Sequence, residues 1–248
     1  MAREQTTAHV AEVFSSIQGE GLYVGRRQVF VRFRGCNLRC AFCDTPLGRA
    51  EEGPCRFEAV PGSGELDERP NPVDAAWLLA AVRALAGTAR HHSISLTGGE
   101  PLLHAEFLRR WLLTLDGGLY VHLETNGTLP DEMERLAGLV DVTAMDVKLP
   151  SVTGQAARLD DHLRFLQVAA RREVFVKVVF GEQTPDAELG EVARVVGRVD
   201  ATIPVVLQPL TGTGSPGPGR ILAAHAFLSK SLPKVFVIAQ THKPAGLS

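Results

Sequence analysis

No uninterrupted apolar run exceeds the eight residues at 75–82, whereas a bilayer-spanning helix needs about 20, so no spanning segment is expected. Nor is there an excess of positive charge. Lys and Arg total 26 against 28 Asp and Glu in 248 residues, a formal charge of −2, which argues against a broad nucleic-acid-binding surface. The N-terminal stretch carries Arg3, Glu4, Glu12 and Glu20 and lacks the apolar core of a secretory signal. A soluble cytoplasmic chain is expected, with neither a membrane nor a nucleic-acid partner. Cysteine is scarce too: there are four, yet Cys36, Cys40 and Cys43 fall within eight residues. In a reducing compartment that crowding favours metal ligation over disulfides.

What is present is ordinary globular material, 45% apolar and 22% charged, enough to bury a core. Apolar β-rich runs at 29–33, 93–96, 119–123, 141–145, 174–180, 204–207 and 234–238 read as seven strands. Between them lie stretches of helical period, such as Leu159, Leu163, Leu166 and Ala170, or Leu189, Val192 and Val196. This alternation predicts right-handed βαβ units and a parallel α/β sheet in one domain spanning 1–248, either doubly wound or an incomplete barrel. The segment 49–72 lacks both periods, and 211–219, rich in glycine and proline, reads as a second loop leading into the last helix. The first is expected to be a long loop standing where a crossover helix would otherwise sit.

The chemically capable motifs follow the strands. Gly35 and the cysteines come after the first, Gly98-Gly99-Glu100-Pro101 after the second, and Glu124-Thr125-Asn126-Gly127 after the third. Asp146-Val147-Lys148, Gln208-Pro209-Leu210-Thr211 and Gln240-Thr241-His242-Lys243 follow later ones. In a parallel barrel the carboxyl ends of the strands share one face, so these motifs should converge on one pocket.

Cys36-X3-Cys40-X2-Cys43 offers three soft thiolates, which select zinc or an iron–sulfur cluster over hard cations. Either Cys55 supplies a fourth thiolate, or one iron of a four-iron cluster stays open to a chelating ligand. The open site is favoured, because Cys55 lies in the low-complexity segment and no second C-X2–4-C knuckle exists. Gly98 and Gly99 let backbone approach a ligand closely, Glu100 can accept from an ammonium, and Pro101 stiffens the exit.

Together these residues resemble the radical S-adenosylmethionine enzymes, whose likeness implies a partial (β/α)6-type barrel. More narrowly, Phe14-Ser-Ser-Ile-Gln-Gly-Glu-Gly21, the run Arg32 to Thr45 around the cysteines, Glu124-Thr-Asn-Gly127, Met145-Asp-Val-Lys148 and Gln240-Thr-His-Lys243 are similar to the 7-carboxy-7-deazaguanine synthase family. Phe42, where that family often has Trp, and the 49–72 segment depart from its pattern.

The resemblance implies a lyase of 7-deazapurine (queuosine) biosynthesis. In it a reduced 4Fe-4S cluster cleaves S-adenosylmethionine, and the resulting 5′-deoxyadenosyl radical takes hydrogen from C6 of 6-carboxy-5,6,7,8-tetrahydropterin. Ring contraction and loss of ammonia follow, and S-adenosylmethionine is regenerated. It further implies roles for single residues. Cys36, Cys40 and Cys43 would ligate the cluster, and Thr45 would ligate a Mg2+ ion. Ile17, Gln18, Gly19, Glu20, Arg32, Thr97, His242 and the terminal carboxylate of Ser248 would meet substrate, with Arg32 on its carboxylate. Phe42, Gly98, Gly99, Glu100, Asp146, Val147, Lys148, Gln208, Pro209, Leu210 and Thr211 would meet S-adenosylmethionine. Glu124 is either a further polar contact or a buried acid paired with a base. A homodimer served by a flavodoxin or ferredoxin is implied as well. Two rivals remain at this level: an activator of glycyl-radical enzymes built on the same cluster, and a zinc module closed by Cys55.

Overall fold

A strand places successive side chains on opposite faces, and the central strands of this chain use the two faces differently. The computed structural model describes residues 6–43, 45, 50, 52–115 and 118–247. In chain order its elements are β1 (Thr7–Ala8), β2 (Val10–Ile17), β3 (Arg27–Phe33), β4 (Cys55–Glu58), β5 (Leu66–Arg69), β6 (Val73–Asp74), α1 (Ala75–Ala86), β7 (Ser93–Gly98), α2 (Ala105–Leu112), β8 (Tyr120–Thr125), α3 (Pro130–Leu136), β9 (Val142–Asp146), α4 (Pro150–Thr153), α5 (Leu159–Ala169), β10 (Glu173–Phe180), α6 (Asp186–Val199), β11 (Val205–Pro209), α7 (Pro218–Leu228), β12 (Val235–Val237) and α8 (His242–Ala245).

The main sheet runs β12-β11-β10-β9-β8-β7-β3-β2-β4-β5. From β3 through β12 every pairing is parallel, and these are the seven strands the sequence predicts. The edges β12 and β5 do not pair with each other, so the barrel is incomplete. Val29, Val31 and Phe33 of β3, Ile94 and Leu96 of β7, and Val176, Val178 and Phe180 of β10 belong to the main apolar core. Helical residues such as Leu78, Val82, Trp111, Phe165 and Val192 pack into the same core. The alternate residues carry most of the polar groups: Gln28 and Arg32, Ser93, Ser95 and Thr97, His122 and Glu124, Asp146, Lys177 and Gln208. One parity therefore builds the core and the other builds the site.

Helix starts follow local chemistry. Asp74 caps α1 by accepting from the Trp77 amide at 2.8 Å, and prolines open α3, α4 and α7 at the first turn, where a missing N–H costs nothing.

The expected loop at 49–72 requires correction. It contains the hairpin β4–β5, whose first strand pairs parallel with β2 through Glu12–Arg56 and Val13–Phe57. Glu58 closes the hairpin by accepting from the amides of Gly62, Gly64 and Ser15. The polar edge strand Leu-Asp-Glu-Arg shows no apolar alternation, which is why periodicity misses it. Strand β2, antiparallel to β3, is a further strand beyond the seven that the sequence predicts. Helices α3 and α4, of seven and four residues, are too short to display a period.

Buried neutral histidines make the fold acid-sensitive. Burial lowers the pKa of His162 to about 4 from its ordinary 6.5, while one of its ring nitrogens bonds the Asn126 carbonyl at 3.0 Å. Between these values the unfolded chain binds a proton that the folded chain does not, so unfolding free energy falls as pH is lowered from about 6.5 to about 4. This group contributes up to about 3 kcal/mol of that loss. Denaturant titrations across the window are expected to show a shallower pH slope in His162→Gln than in the parent.

Candidate active site

At the carboxyl ends of the parallel strands lies a cavity of about 470 Å³, within the ordinary range for a small-molecule site. Its wall brings together Ile17, Gln18, Gly19, Glu20, Arg32, Thr97 and His242 from the residues expected to meet substrate. Phe42, Gly98, Gly99, Asp146, Lys148, Gln208, Leu210 and Thr211 line it too, as do Cys36, Cys40, Cys43 and Thr45. Three expected residues do not. Val147 is packed into the apolar core, and Pro209 is outside the cavity lining although its neighbours Gln208 and Leu210 belong to it. Glu100 is wholly buried: it accepts from the Leu102 and Asn126 amides at 3.1 and 2.8 Å and from the Thr125 hydroxyl at 2.8 Å, so it braces the strand ends rather than a ligand ammonium. Burial, against these donors, raises its pKa to about 7. Ser248 lies outside the described residues.

The cysteine loop leaves β3 and is tied down at several points. Asn37 donates to the Thr128 hydroxyl and accepts from the Asn126 side chain, both at 2.8 Å, which fastens the loop to the end of β8. The Ala41 amide donates to the Thr153 carbonyl at 3.0 Å. Gly98 has φ +121°, and a Cβ there would overlap the Phe33 backbone; Gly99 N and Glu100 N then donate to Phe33 O and Gly35 O at 3.1 and 2.8 Å. The glycine motif and the first residues of the cysteine loop are thus stitched together.

The donor set fits an open iron–sulfur cluster. Three thiols face one cavity, and hydrogen-bond donors already reach two of the sulfurs: the Leu38 amide to Cys36 Sγ at 3.4 Å and Gln155 Nε2 to Cys40 Sγ at 3.7 Å. Cys55 stands apart on β4, fully buried in the apolar core, where burial pushes its thiol up to about 12. Four thiolates therefore do not converge, and among the described residues no group of three His, Cys, Asp or Glu could hold a single metal ion. The opposite wall suits a ligand rich in donors, because Asp146 Oδ1 and Gln208 Oε1 are buried without hydrogen-bond partners.

The turn at 17–20 is locked from both sides. Gln18 spends its amide on Gln28 and Glu124, at 3.1 and 2.8 Å, and accepts the Glu20 amide at 3.0 Å. Ser95 and Thr97 also donate to Glu124, at 2.8 and 3.3 Å, so Glu124 is a shared acceptor in the cavity wall. From the C-terminal segment, Thr241 N donates to Gly19 O at 2.9 Å and Gln240 Nε2 to Glu20 Oε1 at 2.6 Å. Any side chain on Gly19 would collide with His242. Arg32 donates Nε to Glu12 Oε2 at 2.9 Å, with Arg56 on the other Glu12 oxygen, which aligns its guanidinium at the cavity edge.

Sequence reasoning missed Glu12, Phe30 and Lys177 as lining residues. A charge at an inward position of an otherwise apolar strand, as at Glu12 and Lys177, is the signal that marks them. Gly98→Ala is expected to destabilise the protein by more than about 2 kcal/mol through its left-handed backbone and the Phe33 overlap, and to abolish S-adenosylmethionine binding. Chemical denaturation and equilibrium dialysis measure the two effects.

Comparison with known proteins agrees with this geometry. Residues 30–196 match the Radical SAM superfamily model. The chain is 42% identical over 246 residues to the 7-carboxy-7-deazaguanine synthase of Geobacter sulfurreducens, covering 96% of this chain and 97% of that one. It is 35% identical to the 7-carboxy-7-deazaguanine synthase of Methanothermobacter thermautotrophicus, covering 97% and 98%. Among solved structures, QueE from Escherichia coli shares the fold at TM-score 0.62 and 19% identity over 95% of both chains. Streptococcus suis SuiB bound to S-adenosylmethionine does so at TM-score 0.53 and 13% identity, covering 85% of this chain and 48% of that one. The chain belongs to the radical S-adenosylmethionine superfamily and, within it, to the 7-carboxy-7-deazaguanine synthase family.

Proposed function

We propose that this chain converts 6-carboxy-5,6,7,8-tetrahydropterin into 7-carboxy-7-deazaguanine with loss of ammonia. The observation that carries this reading is the convergence of the 17–20 turn, Arg32, Thr97 and His242 with the three-cysteine loop on one cavity. When bound, the 4Fe-4S cluster and S-adenosylmethionine supply the one-electron cleavage that generates a hydrogen-abstracting radical. The chain's own residues bind, orient and exclude water. Cys36, Cys40 and Cys43 hold the cluster, and donors from Leu38 and Gln155 steady two of their sulfurs. Phe42, Gly98, Gly99, Lys148, Leu210 and Thr211 hold S-adenosylmethionine, with Asp146 Oδ1 and Gln208 Oε1 accepting from its hydroxyl or amino groups.

Arg32, held by Glu12, takes the pterin carboxylate in a planar two-point contact. Glu20 and Glu124 accept from the donor-rich edge of the pterin ring, and His242 closes the cavity over it. Thr45 in the wall offers a hydroxyl oxygen to a Mg2+ ion, a hard cation that takes oxygen donors. A flavodoxin or ferredoxin as electron donor, and a homodimer, belong to the same reading. Among the described residues no helix is long and apolar enough to cross a membrane.

Anaerobically reconstituted, dithionite-reduced protein given S-adenosylmethionine, magnesium and the pterin is expected to form 7-carboxy-7-deazaguanine, followed by mass spectrometry. Cys36→Ala should lose the product and Cys55→Ala keep it; failure of the parent to form it would overturn the reading. Arg32→Ala is expected to raise the KM for the pterin by roughly 10- to 100-fold, the loss of one charged hydrogen-bonding contact. Steady-state kinetics showing an unchanged KM would remove Arg32 from the carboxylate site.

A further inference from the structure

Strand β10 carries one cation among apolar residues, Lys177, on the cavity-facing parity and only 11% exposed. A buried ammonium is costly unless paired, and this one is paired twice, with partners from two different parts of the site. Its Nζ bonds Glu20 of the substrate turn and lies 3.5 Å from Asp146 Oδ2 at the end of β9, its register neighbour across the parallel pair. Burial alone would lower the Lys177 pKa, but the carboxylates of Glu20 and Asp146 outweigh it and hold the amine charged.

The pairing continues in both directions. Asp146 Oδ2 also accepts from Lys148 Nζ at 2.7 Å, and that ammonium sits 5.1 Å over the Phe42 ring beside Cys43. At the other end Glu20 Oε1 accepts from Gln240, which accepts in turn from the Thr211 hydroxyl at 2.9 Å. A row of alternating charges, Glu20, Lys177, Asp146 and Lys148, thus crosses the cavity from the substrate turn to the cysteine loop.

We propose that Lys177 is a positioning residue that serves both subsites at once, aiming Glu20 at the pterin and Asp146 at S-adenosylmethionine. The inference rests on the assignment of those two subsites above. Without the cation, Glu20 and Asp146 repel each other, and each is left with a partner from its own side, Gln240 on Glu20 and Lys148 on Asp146, without the tie between them. Removing one group then damages two binding sites, whereas removing Glu20 or Asp146 damages one.

The test is equilibrium dialysis of reconstituted protein, measuring the pterin and S-adenosylmethionine separately in the parent, Lys177→Met, Lys177→Arg, Glu20→Gln and Asp146→Asn, after iron content and circular dichroism match the parent. Lys177→Met is expected to weaken both ligands by about tenfold or more, with Glu20→Gln weakening chiefly the pterin and Asp146→Asn chiefly S-adenosylmethionine. Lys177→Arg should keep both affinities within about threefold of the parent. Met matches Lys in length and shape better than Arg does, so a packing role would give the opposite order. The bridge is overturned if Lys177→Met weakens only one ligand or neither, or if Lys177→Arg falls as far as Lys177→Met. Lys177→Gln takes the place of the Met variant if the apolar residue prevents folding, with the same expectations. Failure of the parent to bind the pterin at all would instead overturn the proposed function.

Discussion

Charges in this protein have to live inside a barrel, and the rest of the site follows from how they are paired there. The cavity-facing parity of the parallel strands holds Arg32, Glu124, Asp146 and Lys177, each in reach of an opposite charge or a hydrogen-bond donor. Water cannot solvate such groups fully, so an unpaired one would cost several kcal/mol, and the pairing is what makes a polar interior compatible with folding. The same pairing is functional, because a side chain held by a neighbour presents its remaining atoms to a ligand in one orientation. Asp146 shows how uneven the pairing can be: Oδ2 is committed to two lysines, whereas Oδ1 is buried without a hydrogen-bond partner.

A second dependence runs through the strand ends. The β3–β7 pairing brings Phe33 against Gly98, where only a residue without Cβ fits, and this close approach lets the amides after Gly98 bond the chain leaving β3. Glu100, read from sequence as a ligand contact, works one layer deeper, tying that junction to Thr125 and Asn126 of the next strand end. Asn126 in turn holds Asn37 of the cysteine loop and rests on His162. The loop that would carry the cluster is therefore positioned by the ends of its neighbouring strands.

Legibility from sequence varied with the kind of signal. Strands of the parallel sheet are visible because burial on both faces gives runs that are almost wholly apolar, as in Val174 to Phe180, which only Lys177 interrupts. The 49–72 hairpin is not, since its outer strand is polar and its inner one is short, and its place in the sheet depends on β2. Motifs at strand ends are visible as clusters of polar residue types, so most of the cavity wall is legible in the sequence. Lys177 is not, because a lone lysine in a strand has no meaning until the register places it between Glu20 and Asp146.

By itself the sequence determined the cysteine spacing, the parallel α/β arrangement and the family, because ligand spacing, apolar period and strand-end motifs are local properties of the chain. Only the tertiary structure decided which members of each motif face the cavity, that Cys55 belongs to the core, and that Glu100 braces rather than binds. It alone decided that one buried cation, Lys177, stands between Glu20 and Asp146. The physical reason is that facing, burial and charge pairing arise between segments far apart in sequence, here Glu20, Asp146 and Lys177, whose energies are set by distances no local pattern encodes.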